Sequence, residues 1–253
     1  MVNITLSIDD SLAEISTQGG LVKRFTVAKK DILYRQRKIT TPAGLKNRGG
    51  IPILFPNADP ITLPSKEFNL SQHGFARDKI WQIEKIEKDN CVLSLTADKQ
   101  TLKQYPFKFR LILSIGLKKG EMNYDLEIIN QERQKILPIS PGLHPYFSLP
   151  IDQRQSIKVD IPKLNLKTFN WDSILMFPGQ PVVNVALADK RKIKLSVSSQ
   201  FKYWAVWGQK DLGFICLEPW IGKRNSLLKK DERVNILPSG KVRLSAKIIA
   251  TNF

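Results

Sequence analysis

Residues 107–129 read FKFRLILSIGLKKGEMNYDLEII, and their two-residue period decides the fold. Phe107, Phe109, Leu111, Leu113, Ile115 and Leu117 fall on one side of an extended chain; after a Lys119-Gly120 turn, Met122, Tyr124, Leu126 and Ile128 alternate again. Alternation of this kind marks strands with one covered face, so the stretch predicts a long antiparallel hairpin. NITLSID, VLSLTAD, IKLSVSS and KVRLSAKIIA repeat the pattern. No convincing amphipathic helix period occurs, and 15 prolines with 14 glycines punctuate the chain where loops belong. The class these segments imply is all-β, a large sandwich of long antiparallel strands. With no shift of composition and no internal repeat, residues 1–253 read as one domain.

Composition narrows the function. A chain of this length with 42% hydrophobic residues can bury a core without metal or disulfide. Cys91 and Cys216 sit in apolar strand-like runs with no partner at metal-ligand or redox spacing, which predicts buried, reduced thiols. The opening MVNITLSIDDSLAEI carries acids where an export leader needs a basic start, and no apolar run is long enough for a membrane span. The expectation is a cytoplasmic monomer without membrane contact. Forty basic against 23 acidic residues give a net charge of +17, which concentrates anionic partners near the surface. The cations are scattered as KK, RQRK, KLNLK and KRK, and no RNP-like, zinc-finger or helix-turn-helix pattern appears, so nucleic acid is not expected.

Three stretches break the alternation while staying rich in Gly, Pro and aromatics. They are 47–60 (NRGGIPILFPNADP) with SQHGFARDKIW at 71–81, SPGLHPYFSLP at 140–150, and FICLEPWIGKRNSL at 214–227. Both histidines, His73 and His144, fall in them, as do Arg48, Arg77, Glu218 and Trp220. Rigid loops bearing His, Arg, Glu and Trp are where a β scaffold carries chemistry. Singly, each histidine also reads as a hydrogen-bonded structural group, each arginine as a surface cation, and Glu218 as half of a salt bridge.

Taken together, GGIPILFP, QHGFAR, GLHPYF and CLEPW, in that order, resemble the aldose 1-epimerase (galactose mutarotase-like) superfamily. RGGIPILFP is most similar to its hexose-6-phosphate 1-epimerase branch. The resemblance implies a large β-sandwich with a sugar site on a concave face. It implies Glu218 as the catalytic glutamate, His73 and His144 as the site histidines, and Arg48 and Arg77 as substrate-binding arginines. Where the family has a sugar-binding aspartate, Asp172 is the nearest candidate, with Asp189 behind it.

The chemistry is consistent with that set. Interconverting anomers needs a base for the anomeric hydroxyl and an acid for the ring oxygen, and no cofactor or metal. Glu218 is the expected base, because a carboxylate is ionised at neutral pH; His144 is the expected acid, because imidazole alone holds a labile proton near neutrality. Pro145 and the Pro141-Gly142 pair are expected to fix the angle of His144. His73 is expected to donate a hydrogen bond to the ring oxygen or a hydroxyl, and Trp220 offers a face for the sugar. The expected partner is a small sugar or sugar phosphate, a hexose 6-phosphate ahead of a free aldose, given the arginines and the charge. Three rivals stay open. A glycoside hydrolase needs a second carboxylate, for which Asp59 and Asp78 are candidates. A zinc hydrolase would use both histidines and the glutamate. A non-catalytic module on the same fold would bind carbohydrate or polyanion.

Overall fold

The computed structural model describes residues 1–253 except 42, 43, 64, 66, 67, 188, 189 and 253; Asp189 therefore lies outside the described residues. The hairpin forms as its period dictates: Phe109–Lys118 pairs with Glu121–Asn130, Leu117 opposite Met122 and Phe109 opposite Asn130. Phe109, Leu111, Leu113, Ile115 and Leu117 are all buried, and so are their partners Met122, Tyr124, Leu126 and Ile128. The pair lies in the interior of an eight-stranded antiparallel sheet. In order, that sheet runs Lys158–Val159, Val182–Ala186, Lys192–Val197, Lys241–Thr251, Glu121–Asn130, Phe109–Lys118, Asn90–Thr96 and Gln82–Ile86.

A second sheet runs Leu175–Pro178, Tyr203–Trp207, Phe214–Trp220, Gly142–Leu143 and Ile53–Leu54, with Tyr146–Ser148 also paired to Phe214–Trp220. A third, four-stranded sheet is built from the first 31 residues. Inward side chains of all three, from Leu6 and Phe25 through Leu113 and Leu126 to Val206, Ile215 and Leu217, join one hydrophobic core. This is the expected all-β sandwich. Among the described residues no helix is long and apolar enough to cross a membrane. The one α-helix among them, Lys99–Gln104, was not expected. Asp98 caps it by accepting from the backbone of Gln100 and Thr101, while the Thr101 hydroxyl closes a capping box.

The three stretches that break the alternation each supply strands to the second sheet, and Asn47 and Arg48 also end the strand Gly44–Arg48, which pairs separately with Arg37–Thr41. Phe214–Trp220 is buried at every position because it is covered on both faces, and such a strand shows a continuous apolar run rather than a period of two. Ile215 and Leu217 point into the core, whereas Phe214, Cys216 and Trp220 belong to clusters on the opposite face. Glu218 shares that outer face, mid-strand.

Candidate functional site

The outer face of the second sheet is organised by register. Gly142 lies opposite Trp220 and Tyr146 opposite Cys216, both on Phe214–Trp220. The ladder keeps one register on either side of His144-Pro145, so His144 falls opposite Glu218. On the other flank, Ala205 pairs with Glu218, Trp207 with Cys216 and Tyr203 with Trp220. Three rows result: Trp207–Cys216–Tyr146, Ala205–Glu218–His144, and Tyr203–Trp220–Gly142. The middle row carries the titratable pair and is bordered by aromatic rows. Gly142 is required there by close approach, since a Cβ would stand 2.7 Å from Trp220 Cδ1 and 3.0 Å from the Ala58 methyl.

Glu218 and His144 are 1% and 6% exposed. Nδ1 of His144 stands 3.3 Å from Oε1 of Glu218, at ion-pair distance. The approach is out of line for a hydrogen bond, and Nδ1 has no other partner. The indole N–H of Trp220 donates to Oε2 of Glu218 at 3.1 Å. Trp220, 3% exposed, thus fixes the carboxylate as well as lining the cleft. Tyr146 stacks on the His144 ring, centroids 4.5 Å apart and planes 2° apart, and Trp207 meets both edge-on.

His73 reaches the same place from the loop 71–75. Its ring is 5.6 Å from that of His144 and 6.3 Å from that of Trp220. Its backbone is left-handed (φ 70°) and is followed by Gly74 (φ 60°), where a Cβ would stand 2.1 Å from the Phe55 carbonyl oxygen. Nδ1 of His73 hydrogen-bonds the carbonyl of Ala58. Because a carbonyl only accepts, Nδ1 carries the proton, and in the neutral ring Nε2 is a lone pair. Burial, with help from Arg77, pulls His73 down to about 4, so the neutral ring holds at pH 7. Toward the cleft, Nε2 of His73 is therefore an acceptor rather than the donor expected.

The cleft above this floor has a volume of about 910 Å³. Arg48, Arg77, Lys23, Lys38 and Lys46 line it against three acids, Asp78, Asp172 and Glu218. Arg48 is held by its Nε–H to Oε1 of Gln209 at 2.8 Å, with its guanidinium 5.2 Å from the Trp207 ring centre. Arg77 donates to the Gln72 carbonyl at 3.3 Å and keeps about a third of its side chain exposed. Asp172 lines the cleft from its exposed rim, with a left-handed backbone (φ 80°), rather than joining the floor. Of the second carboxylates weighed for a glycosidase, Asp78 is an exposed rim residue and Asp59 is buried outside the lining.

Electrostatics modify the expected roles. Burial holds the Glu218 carboxyl well above the usual carboxylate range, opposed only by the Trp220 hydrogen bond. Burial likewise holds His144 well below the usual imidazole value, reinforced by His73, Arg77 and Arg48. Burial therefore works against the imidazolium expected at neutral pH, because low dielectric favours uncharged forms. Since the two groups are coupled, the pair still offers one acid and one base.

Sequence reasoning missed Tyr146, Trp207, Gln209 and Cys216 as neighbours of the site. For Cys216 a signal existed: reading FICLEPW as a strand puts positions 216, 218 and 220 on one face. For Gln209 and Trp207 there was none.

The aldose 1-epimerase family model matches residues 3–176 of this chain. That range contains Arg48, His73, Arg77, His144 and Asp172; Glu218 and Trp220 lie beyond it. Protein LacX of Lactococcus lactis subsp. lactis is 25% identical over 113 residues, 41% of this chain and 38% of its own length. The alignment thus spans well under half of LacX. Among solved structures, the Slr1438 protein from Synechocystis sp. PCC 6803 has a TM-score of 0.85 at 26% identity, covering 100% of this chain and 96% of its own. The galactose mutarotase related enzyme from Lactobacillus acidophilus has a TM-score of 0.80 at 20% identity, over 99% of this chain and 98% of its own. At its lower identity, the second likeness bears on the fold alone.

Proposed function

The chain belongs to the aldose 1-epimerase family, and from that premise we propose that it interconverts the α and β anomers of an aldose, a hexose 6-phosphate ahead of the free sugar. One observation carries this reading: a carboxyl and an imidazole 3.3 Å apart on the floor of a cationic cleft. Glu218 takes the proton of the anomeric hydroxyl and His144 protonates the ring oxygen. The C1–O5 bond breaks with its electron pair going to O5, C1 becomes a carbonyl carbon, and rotation about C1–C2 presents the other face. Closure reverses each transfer, so the pair ends with the proton it began with. The chemistry needs no further group, and each well-placed acid or base contributes about 10²- to 10⁴-fold.

For His144 to act first as acid, the ring must carry a proton. Arg48 and Arg77 oppose this by depressing the imidazole. A phosphate dianion bound by the two guanidiniums cancels their field and favours the imidazolium, a physical reason for preferring a phosphate ester. His73 accepts a sugar hydroxyl at Nε2, Asp172 meets hydroxyls at the rim, and Trp220 keeps the carboxylate in place.

The test is NMR magnetisation exchange between anomers of glucose 6-phosphate and of glucose. The wild-type protein is expected to accelerate exchange of the ester more than that of glucose, and Glu218→Gln to lose at least 10²-fold. Arg48→Ala and Arg77→Ala are expected to erase the preference. Exchange no faster than in buffer for either sugar overturns the enzyme. Binding without exchange, falling steeply with salt, favours the non-catalytic module instead.

A further inference from the structure

The outer face holds a third reactive group that anomer exchange does not use. Cys216 is two residues before Glu218 on the same strand, hence on the same side, and His144 stands opposite Glu218. One ligand atom from each of His144, Cys216 and Glu218 lies within 4.8 Å of the others, and all three residues are buried. We propose that Nδ1 of His144, Sγ of Cys216 and a carboxylate oxygen of Glu218 form a binding site for a borderline-soft divalent cation of the Zn²⁺ type.

Geometry and chemistry agree. Metal–nitrogen and metal–oxygen bonds of roughly 2.0–2.1 Å at tetrahedral angles put the two donor atoms about 3.3–3.4 Å apart. The observed separation of Nδ1 and Oε1 is 3.3 Å. That Nδ1 has no hydrogen-bond partner, although its side chain is only 8% exposed. A buried ring nitrogen without a partner is costly, and a cation bound at it relieves that cost. Thiolate and carboxylate together carry two negative charges, which neutralise a divalent ion in a site too dry for an unpaired one. A sulfur, nitrogen and oxygen set selects Zn²⁺ or Co²⁺ over Mg²⁺ or Ca²⁺. On binding, the Cys216 thiol gives its proton to the buffer as the metal–sulfur bond forms. Entry is from the cleft, which His144 and Glu218 line. His73 stays outside the set, because its Nδ1 is engaged by Ala58.

One consequence rests on the proposed function: the bound cation takes the lone pairs that move protons, so anomer exchange stops. The site itself stands apart from that reading and is tested by its spectrum. Co²⁺ is titrated into the full chain in a non-chelating reductant. The expected result is one equivalent bound, with a sulfur-to-cobalt charge-transfer band in the near ultraviolet and strong visible bands of a tetrahedral ion, all displaced by Zn²⁺. Cys216→Ser is expected to lose the near-ultraviolet band and bind at least tenfold more weakly, whereas Cys91→Ser keeps both. Circular dichroism reports whether each variant is folded. If Cys216→Ser does not fold, Glu218→Gln is expected to keep the sulfur band while binding more weakly. A wild-type protein without the band, or a band that survives loss of the Cys216 sulfur, overturns the site. Absence of anomer exchange in metal-free protein counts against the epimerase alone, and the cobalt spectrum then decides the metal site independently.

Discussion

Trp220 holds the Glu218 carboxylate through one hydrogen bond of 3.1 Å, the one interaction that counters burial at that group. A hydrogen bond to an ionised acceptor is worth about 1.5–3 kcal/mol, and here it favours the basic form of Glu218. Trp220→Phe keeps the ring and removes the donor. It is expected to lower kcat about tenfold or more with little change in KM, read by anomer exchange over a range of sugar concentration; a change confined to KM would make Trp220 a sugar platform only. His73 teaches a related lesson. Its value to the site depends on which nitrogen is free, and the Ala58 carbonyl, fifteen residues away in sequence, decides that.

At the scale of the element, the site belongs to one strand, Phe214–Trp220, and to the neighbours whose register sets its rows. Pro145 and Pro219 remove two amide donors from the middle of that ladder. Even so, the pairing resumes in the same register beyond His144-Pro145. The long hairpin was legible because one of its faces is buried and the other only half covered, which leaves a clean period of two. Phe214–Trp220 was not, because burial on both faces erases the period. Gly142 shows how closely the strands approach. In Gly142→Ala the added methyl meets Trp220 Cδ1 at 2.7 Å. The expected cost is about 1–3 kcal/mol of stability, the usual range for overpacking, measured by urea denaturation, together with slower exchange as the indole shifts off Glu218. Unchanged stability and activity would mean that the indole has room to move.

At the scale of the molecule, burial of two ionisable groups, His73 in the cleft and Asp59 outside its lining, links stability to pH with opposing signs. His73 is pulled down to about 4 from an ordinary 6.5, so its stabilising share is whole above 6.5 and is lost as pH falls toward 4. Asp59 is raised to about 6 from 3.8 by burial, so its share is whole below 3.8 and is lost as pH rises through 6. Between pH 4 and 6 the two slopes oppose each other. Relative to wild type, Asp59→Asn is expected to lose Tm more steeply on acidification through that window and His73→Gln to lose it less, as followed by calorimetry. Parallel profiles for all three proteins would refute the linkage. Net charge acts at this scale as well: of the cations behind the +17, five line the cleft, so part of the excess faces the cleft rather than bulk solvent alone.

The sequence by itself determined the all-β class and the central hairpin. It also singled out most of the residues that meet in the cleft, because alternation and Gly/Pro-rich breaks are local properties of the chain. Only the tertiary structure decided that Glu218 lies mid-strand opposite His144, that His73 accepts rather than donates, and that Cys216 stands beside them. Register, tautomer and the sign of a pKa shift are set by what packs across the sheet, and no window of sequence contains that.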